Sequence, residues 1–306
     1  MKCWIRLLGL ALPVFLGTAH AVSPDAILQG RHLFERQWPS RDPSLGSDGL
    51  GPLYNGRSCV TCHNQSGIGG GGDSKFNAKT LGIEKIRISG GNAPVNDAVI
   101  ARCVSSFHPG FVQANGQVTN ALIISHHGGS QAYIDRRISL LAKSGALFDA
   151  EGGPIDASEV RQALDHPIVF RARVGAYQVE IHARLFQRNT TSLFGAGLID
   201  RVSDRQLEQL VKAQRKHPEI SGRPATLLNG TLGKFGWRAS MSSLLDFVDQ
   251  ECASEVGLET NRRPQTTDPL LPKYRNPSID VSDGQIQAIE SFIAALGAPR
   301  QRVPLD

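Results

Sequence analysis

The sequence predicts a mainly α fold elaborated with long loops and a few β-strands. Three observations predict it. Apolar residues at helical spacing follow the first two dozen positions and recur in three segments of the last third. Alternating segments are short and confined to the middle third. The 32 Gly and 17 Pro supply enough backbone punctuation for long connections and exclude a pure helix bundle. With 40% hydrophobic and 20% charged residues, the composition excludes a disordered, collagen-like or multi-span membrane chain.

The first segment reads as a secretory signal peptide over residues 1–21, leaving 22–306 as one domain. A basic start (Lys2, Arg6), an apolar run from Leu7 to Gly17 and a small-x-small site at Ala19-His20-Ala21 carry that reading. The run is too short for a stable membrane span, so none is expected after cleavage. Cleavage removes two of the 33 basic residues and none of the 28 acidic ones, so the formal charge of +5 falls to +3. That surplus gives no ground for nucleic-acid binding.

The first mature helix begins at Ser23-Pro24, a cap followed by proline, and spaces Ile27, Leu28, His32, Leu33, Phe34 and Trp38 along one side. Residues from Pro39 to Gly56 and from Gly67 to Asp73 read as loops. The glycine run lacks the Lys-Ser/Thr of a phosphate loop. It either brings backbone close to a ligand or forms a solvent loop. Ile86–Ile88, Val118–Ser125 and Val174–Phe186 read as strand, and Tyr133–Leu147 as helix. Helices are then expected over Val202–Val211, Ser242–Val256 and Ser282–Leu296, the last stopped by Gly297 and Pro299.

Four cysteines remain beyond the leader. Cys59-Val60-Thr61-Cys62-His63 has the C-x-x-C-H attachment pattern for c-type haem. Two thiols three residues apart can reach two vinyl groups of one porphyrin, and the adjacent His63 supplies the proximal iron ligand. A thioredoxin-like pair, a structural disulfide and half a zinc site are the rival readings. The loop-like residues before the motif and the lack of a second C-x-x-C speak against the first and the last. Cys103 and Cys252 form the remaining pair in an exported chain and are expected as a disulfide, with two buried free thiols as the alternative.

Gly30-Arg31-His32-Leu33-Phe34-Glu35, the block from Asp48 to Gln65 around the motif, Arg188–Asp200 and Gly233–Ala239 together resemble the bacterial di-haem oxidoreductase family, peroxidases also described as thiol oxidoreductases. The resemblance runs from about Gly30 to Leu296 and implies a cytochrome c-like haem domain. Members typically carry a second C-x-x-C-H downstream, whereas this sequence contains a single C-x-x-C-H, at Cys59–His63. The expectation is therefore one covalent haem c, as in a one-haem relative or the first-haem portion of a longer product.

The sixth position on the iron decides what such a haem does. Met241 is the single Met beyond the leader and the candidate distal ligand. Another His or an open position are the alternatives, and His32, His108, His126, His127, His166, His182 and His217 rank below Met241. The sequence thus points to an exported, periplasmic c-type cytochrome exchanging electrons with a redox partner protein or a small donor or acceptor. A haem peroxidase reducing hydrogen peroxide is the enzyme alternative, and a secreted non-haem binding module the third. No individual catalytic residue is named by the sequence.

Overall fold

The computed structural model describes residues 23–39, 47–51, 54–91, 93–108, 111–112, 116–118, 121–124, 168–220, 222–227, 229–266 and 274–299. The signal-peptide segment and the helix expected over Tyr133–Leu147 lie outside them. In chain order the elements are α1 (Pro24–Glu35), α2 (Cys59–Cys62), β1 (Ala78–Gly90), α3 (Asp97–Phe107), β2 (Ala121–Ile124), β3 (Ile168–Val174), β4 (Tyr177–Arg188), α4 (Ala196–Asp200), α5 (Asp204–Gln214), β5 (Ala225–Thr226), β6 (Leu232–Gly233), α6 (Leu244–Ser254) and α7 (Asp283–Ala295). Among the described residues no helix is long and apolar enough to cross a membrane.

The helices start where side chains can satisfy their free amides. Ser23 Oγ accepts from Ala26 N at 3.1 Å on α1. Ser203 with Gln206, and Ser282 with Gln285, form reciprocal capping boxes on α5 and α7. Helices α1, α6 and α7 share one hydrophobic cluster, in which Phe34, Trp38, Leu244, Leu258 and Ile286 are almost fully buried. The helix α1 lies against α7 with backbone at the interface, because Gly30 faces the Ala288 carbonyl.

The mainly α expectation is corrected by the second cluster. Strands pair antiparallel in the order β2-β1-β4-β3, and α3 packs Cys103, Val104 and Phe107 against Leu81, Val179 and Ile181. The fold is mixed, with a sheet that has its own core. The strands expected at Ile86–Ile88, Val118–Ser125 and Val174–Phe186 fall on β1, β2 and β4, but the pairing of β1 with β4 shifts register between Ile83 and Lys85, which breaks the two-residue alternation and hides the first half of β1. Helix α3 falls where strand and loop are expected. Its start is marked by Asn96, whose Oδ1 accepts from Val99 N at 3.0 Å.

Gly175, with φ of 63°, takes the first central place of the two-residue turn that joins β3 to β4. On the outer sheet face Glu180 binds His182 Nε2, Arg171 Nε and Arg87 Nη1 at 2.7–2.8 Å, and these bonds hold its carboxyl down at about 2. Cys103 and Cys252 are both free thiols, one in the sheet cluster and the other in the helical cluster. The expected bridge between them is therefore not formed.

A Cβ at Gly30 would overlap the Ala288 carbonyl and press on Phe292 Cβ. Gly30→Ala is expected to destabilise the protein by about 1–3 kcal/mol, the usual range for overpacking. Gly284→Ala, in the same cluster's closing helix but facing open space, should be neutral or slightly stabilising. Denaturant midpoints of the two variants check this, and equal midpoints would refute the close α1–α7 approach.

Candidate functional site

Cys59 and Cys62 occupy the single turn of α2, at the i and i+3 places that share one helix face. Ser58 caps this turn, its Oγ accepting from Thr61 N at 3.2 Å and from Gln37 Nε2 at 2.7 Å. Trp38 N donates to Arg57 O at 2.8 Å, so the segment after α1 anchors the residues that lead into the motif. His63 leaves the helix with φ of −112° and ψ of 67°.

The glycine run folds back beneath the motif. Gly67 and Gly69 take φ of 116° and 88°, and Gly70 lies so close to the Gln65 carbonyl that a side chain could not fit. His63 Nδ1–H donates to Gly70 O at 3.1 Å, which leaves Nε2 with its lone pair. Burial pushes the imidazole below its usual range, and the Gly70 and Thr191 carbonyls partly oppose that shift. The ring is therefore neutral at neutral pH, the form that can ligate a metal. The end of the sheet holds the run in place, with Gly72 N donating to Thr190 O at 3.0 Å and Leu193 N to Gly69 O at 2.8 Å.

Cys59, Cys62 and His63 line one wall of a cavity of about 1080 Å³. That is at the upper end of the roughly 300–1,000 Å³ common for small-molecule and cofactor sites. Phe34, Phe235, Phe247, Val248, Ile289 and Ile293 give the cavity apolar walls. Met241 also lines it, at the foot of a tight loop in which Phe235 and Met241 exchange backbone bonds at 2.9 and 3.0 Å. At the sheet side, Thr80 Oγ1 and Arg188 Nε line the cavity buried and without a hydrogen-bond partner among the described residues. Such orphan groups are rare unless an occupant satisfies them.

Two acids facing the cavity were not legible beforehand. Glu251 and Glu255, one turn apart at the C-terminal end of α6, both face the cavity. Burial raises both carboxyls, that of Glu251 to about 8, and Arg188 opposes the shift in each. Asn55 Nδ2 donates to Glu255 Oε2 at 2.6 Å, which partly opposes the effect of burial on that carboxyl. Their spacing continues the stripe of Val248 and Cys252, and acids on a buried stripe were the available signal. Cys252 lines the same cavity as Cys59 and Cys62.

Burial pushes the Cys59 and Cys62 thiols up to about 12. A thioredoxin-like nucleophile requires the opposite shift. Among the described residues, no group of three or more His, Cys, Asp or Glu is arranged to hold a bare metal ion. No other described histidine lines the cavity: His32 is exposed, His108 is buried in the sheet cluster's neighbourhood beside Phe111, His182 binds Glu180 and His217 lies near Glu219. His126, His127 and His166 lie outside the described residues. Comparison with protein-family models, curated proteins and solved structures finds no match to this chain.

Glu251 binds its proton more tightly in the folded chain, at about 8, than its ordinary value of 4.5 allows when unfolded. The folded state thus holds more protons between those values, and stability falls as pH rises through that window. Thermal melting of the cofactor-free chain should show this decline, and Glu251→Gln should flatten it. A decline unchanged in the variant would refute the assignment.

Proposed function

We propose that this protein is an exported c-type cytochrome that holds one covalent haem and transfers electrons, as or within a di-haem oxidoreductase-like protein. The convergence of Cys59, Cys62 and His63 on one large, mostly apolar cavity carries the proposal. The residues fit the group. Cys59 and Cys62 would bond its two vinyl positions, and His63 Nε2, free because Nδ1 is committed to Gly70, would ligate the iron. Met241, on the same cavity, would be the distal ligand, and Thr80 Oγ1 and Arg188 Nε would meet the acidic arms.

When bound, the haem supplies reversible one-electron chemistry. The chain sets how readily that happens. A thioether ligand raises the potential relative to a second histidine, and the apolar wall of Phe34, Val248, Ile289 and Ile293 keeps water away. The location that suits this activity is the periplasm, where a redox partner protein or small donor remains within reach.

One observation favours a second reading, a haem peroxidase. Cleaving a peroxide bond needs a group that moves a proton and a cation that steadies the departing oxygen. Glu251, protonated near neutrality, and Arg188 face the same cavity. This reading requires Met241 to vacate the iron.

The expected result for protein made in a host that matures haem c is one haem per chain, by reduced pyridine haemochrome spectrum and intact mass. A chain without haem overturns the proposal and leaves Cys59 and Cys62 as a thiol pair. In Met241→Ala the Met-to-iron charge-transfer band should vanish and the potential should fall. Peroxide turnover that rises in Met241→Ala and is lost again on adding Glu251→Gln would establish the second reading; no turnover in either variant excludes it.

A further inference from the structure

The rim of the cavity carries exposed apolar groups that the site chemistry leaves unused. Trp237 is 59% exposed, Leu198 51% and Ile199 50%. Trp237 and Ile199 both line the cavity, and Leu198 is next to Ile199 on α4. Large apolar side chains left exposed at one cavity mark an interaction surface.

Two unrelated local devices turn these side chains outward. Helix α4 presses its inner face, Ala196 and Gly197, onto α7, where Gly197 lies against the Ala294 backbone. Leu198 and Ile199 must then face away. Trp237 projects from the loop closed by Phe235 and Met241, in which Gly236, Arg238 and Ala239 take φ of 74°, 57° and 54°. Two L-residues in the left-handed region mean that the loop holds its shape against local preference. The Arg188 guanidinium, 4.5 Å from the Trp237 ring centroid, fixes the indole.

The charge around the patch is positive. Arg201 ends α4 and Arg238 follows Trp237, both exposed. The acid between Ile199 and Arg201 is turned inward, since Asp200 Oδ1 accepts from Leu244 N at 2.8 Å. Trp and Arg are also the residue types that dominate binding energy at interfaces.

We propose that Leu198, Ile199 and Trp237, ringed by Arg201 and Arg238, are the docking surface for an acidic one-electron carrier protein. This rests on the haem reading above. The patch lies at the opening of the haem cavity, so docking there brings the carrier's redox centre close to the cofactor. In the exchange, one electron leaves the carrier's reduced centre and the ferric iron becomes ferrous; no bond forms or breaks and no proton moves. A small patch with a charged rim suits the brief encounter that turnover requires.

The test uses haem-loaded protein, its loading established by the haemochrome spectrum, and follows reduction in a stopped-flow instrument by one acidic and one basic blue-copper protein. The acidic carrier should react faster, and its advantage should shrink as salt rises. Leu198→Glu, whose side chain lies outside the cavity lining, and Arg201→Glu should each slow the acidic carrier about tenfold while leaving the haem spectrum and reduction by dithionite unchanged. Trp237→Ala should slow it as well. Normal haem with undiminished rates in Leu198→Glu and Arg201→Glu overturns the docking surface alone. A preference for the basic carrier, or slowing only in Trp237→Ala and only with small aromatic reductants, overturns it too. Absence of haem overturns the haem reading and this proposal together.

Discussion

The close grip on the closing helix is the constraint on which the remaining structure depends. Three glycines from separate parts of the chain meet α7 or its end: Gly30 at Ala288, Gly197 at Ala294 and Gly69 at Leu296. Each permits a backbone approach that a β-carbon would block. Through Gly30, α7 positions α1, and α1 anchors the C-x-x-C-H turn by way of Trp38 and Gln37. Through Gly69 it seats the loop that orients His63, and through Gly197 it sets the face that α4 presents. The thiols, the imidazole and the exposed rim are thus all referred to one rigid element.

Polarity divides the cavity in a way that its apolar walls conceal. The α6 side carries two carboxyls that burial keeps from both ionising, while Arg188 approaches from the end of β4. Arg263, which also lines the cavity, lies 3.0 Å from the buried Asp249, to which Thr260 Oγ1 donates at 2.7 Å. An occupant entering this space meets proton-holding acids on one side and cations on another. Charge that develops inside would be compensated locally rather than by solvent.

Much of the helical half was legible in the sequence because its signals are local. The Ser23 cap occurs as expected, and the stripe of Ile286, Ile289, Phe292 and Ile293 is buried as its spacing requires. The sheet was less legible, because its evidence is non-local. Of strand β1 only Ile86–Ile88 alternates legibly, because the register shift near Glu84 interrupts the pattern before it. The motif residues Cys59, Cys62 and His63 were legible as chemistry, and Met241 as a candidate. Glu251, Glu255, Thr80 and Arg188 were not, since which polar groups face a cavity depends on how three separate elements, β1, β4 and α6, come together.

Three thiols at one cavity also bear on how the chain matures. Cys59, Cys62 and Cys252 could pair wrongly under oxidising conditions before any permanent bond commits the first two. Disulfide exchange proceeds through the thiolate, and burial that lifts Cys59 and Cys62 from 9.0 to about 12 cuts the thiolate population about a thousandfold. The Cys252 thiol is raised further still by the same cause. Burial at the cavity wall therefore acts as chemical protection, slowing indiscriminate oxidation of the paired thiols.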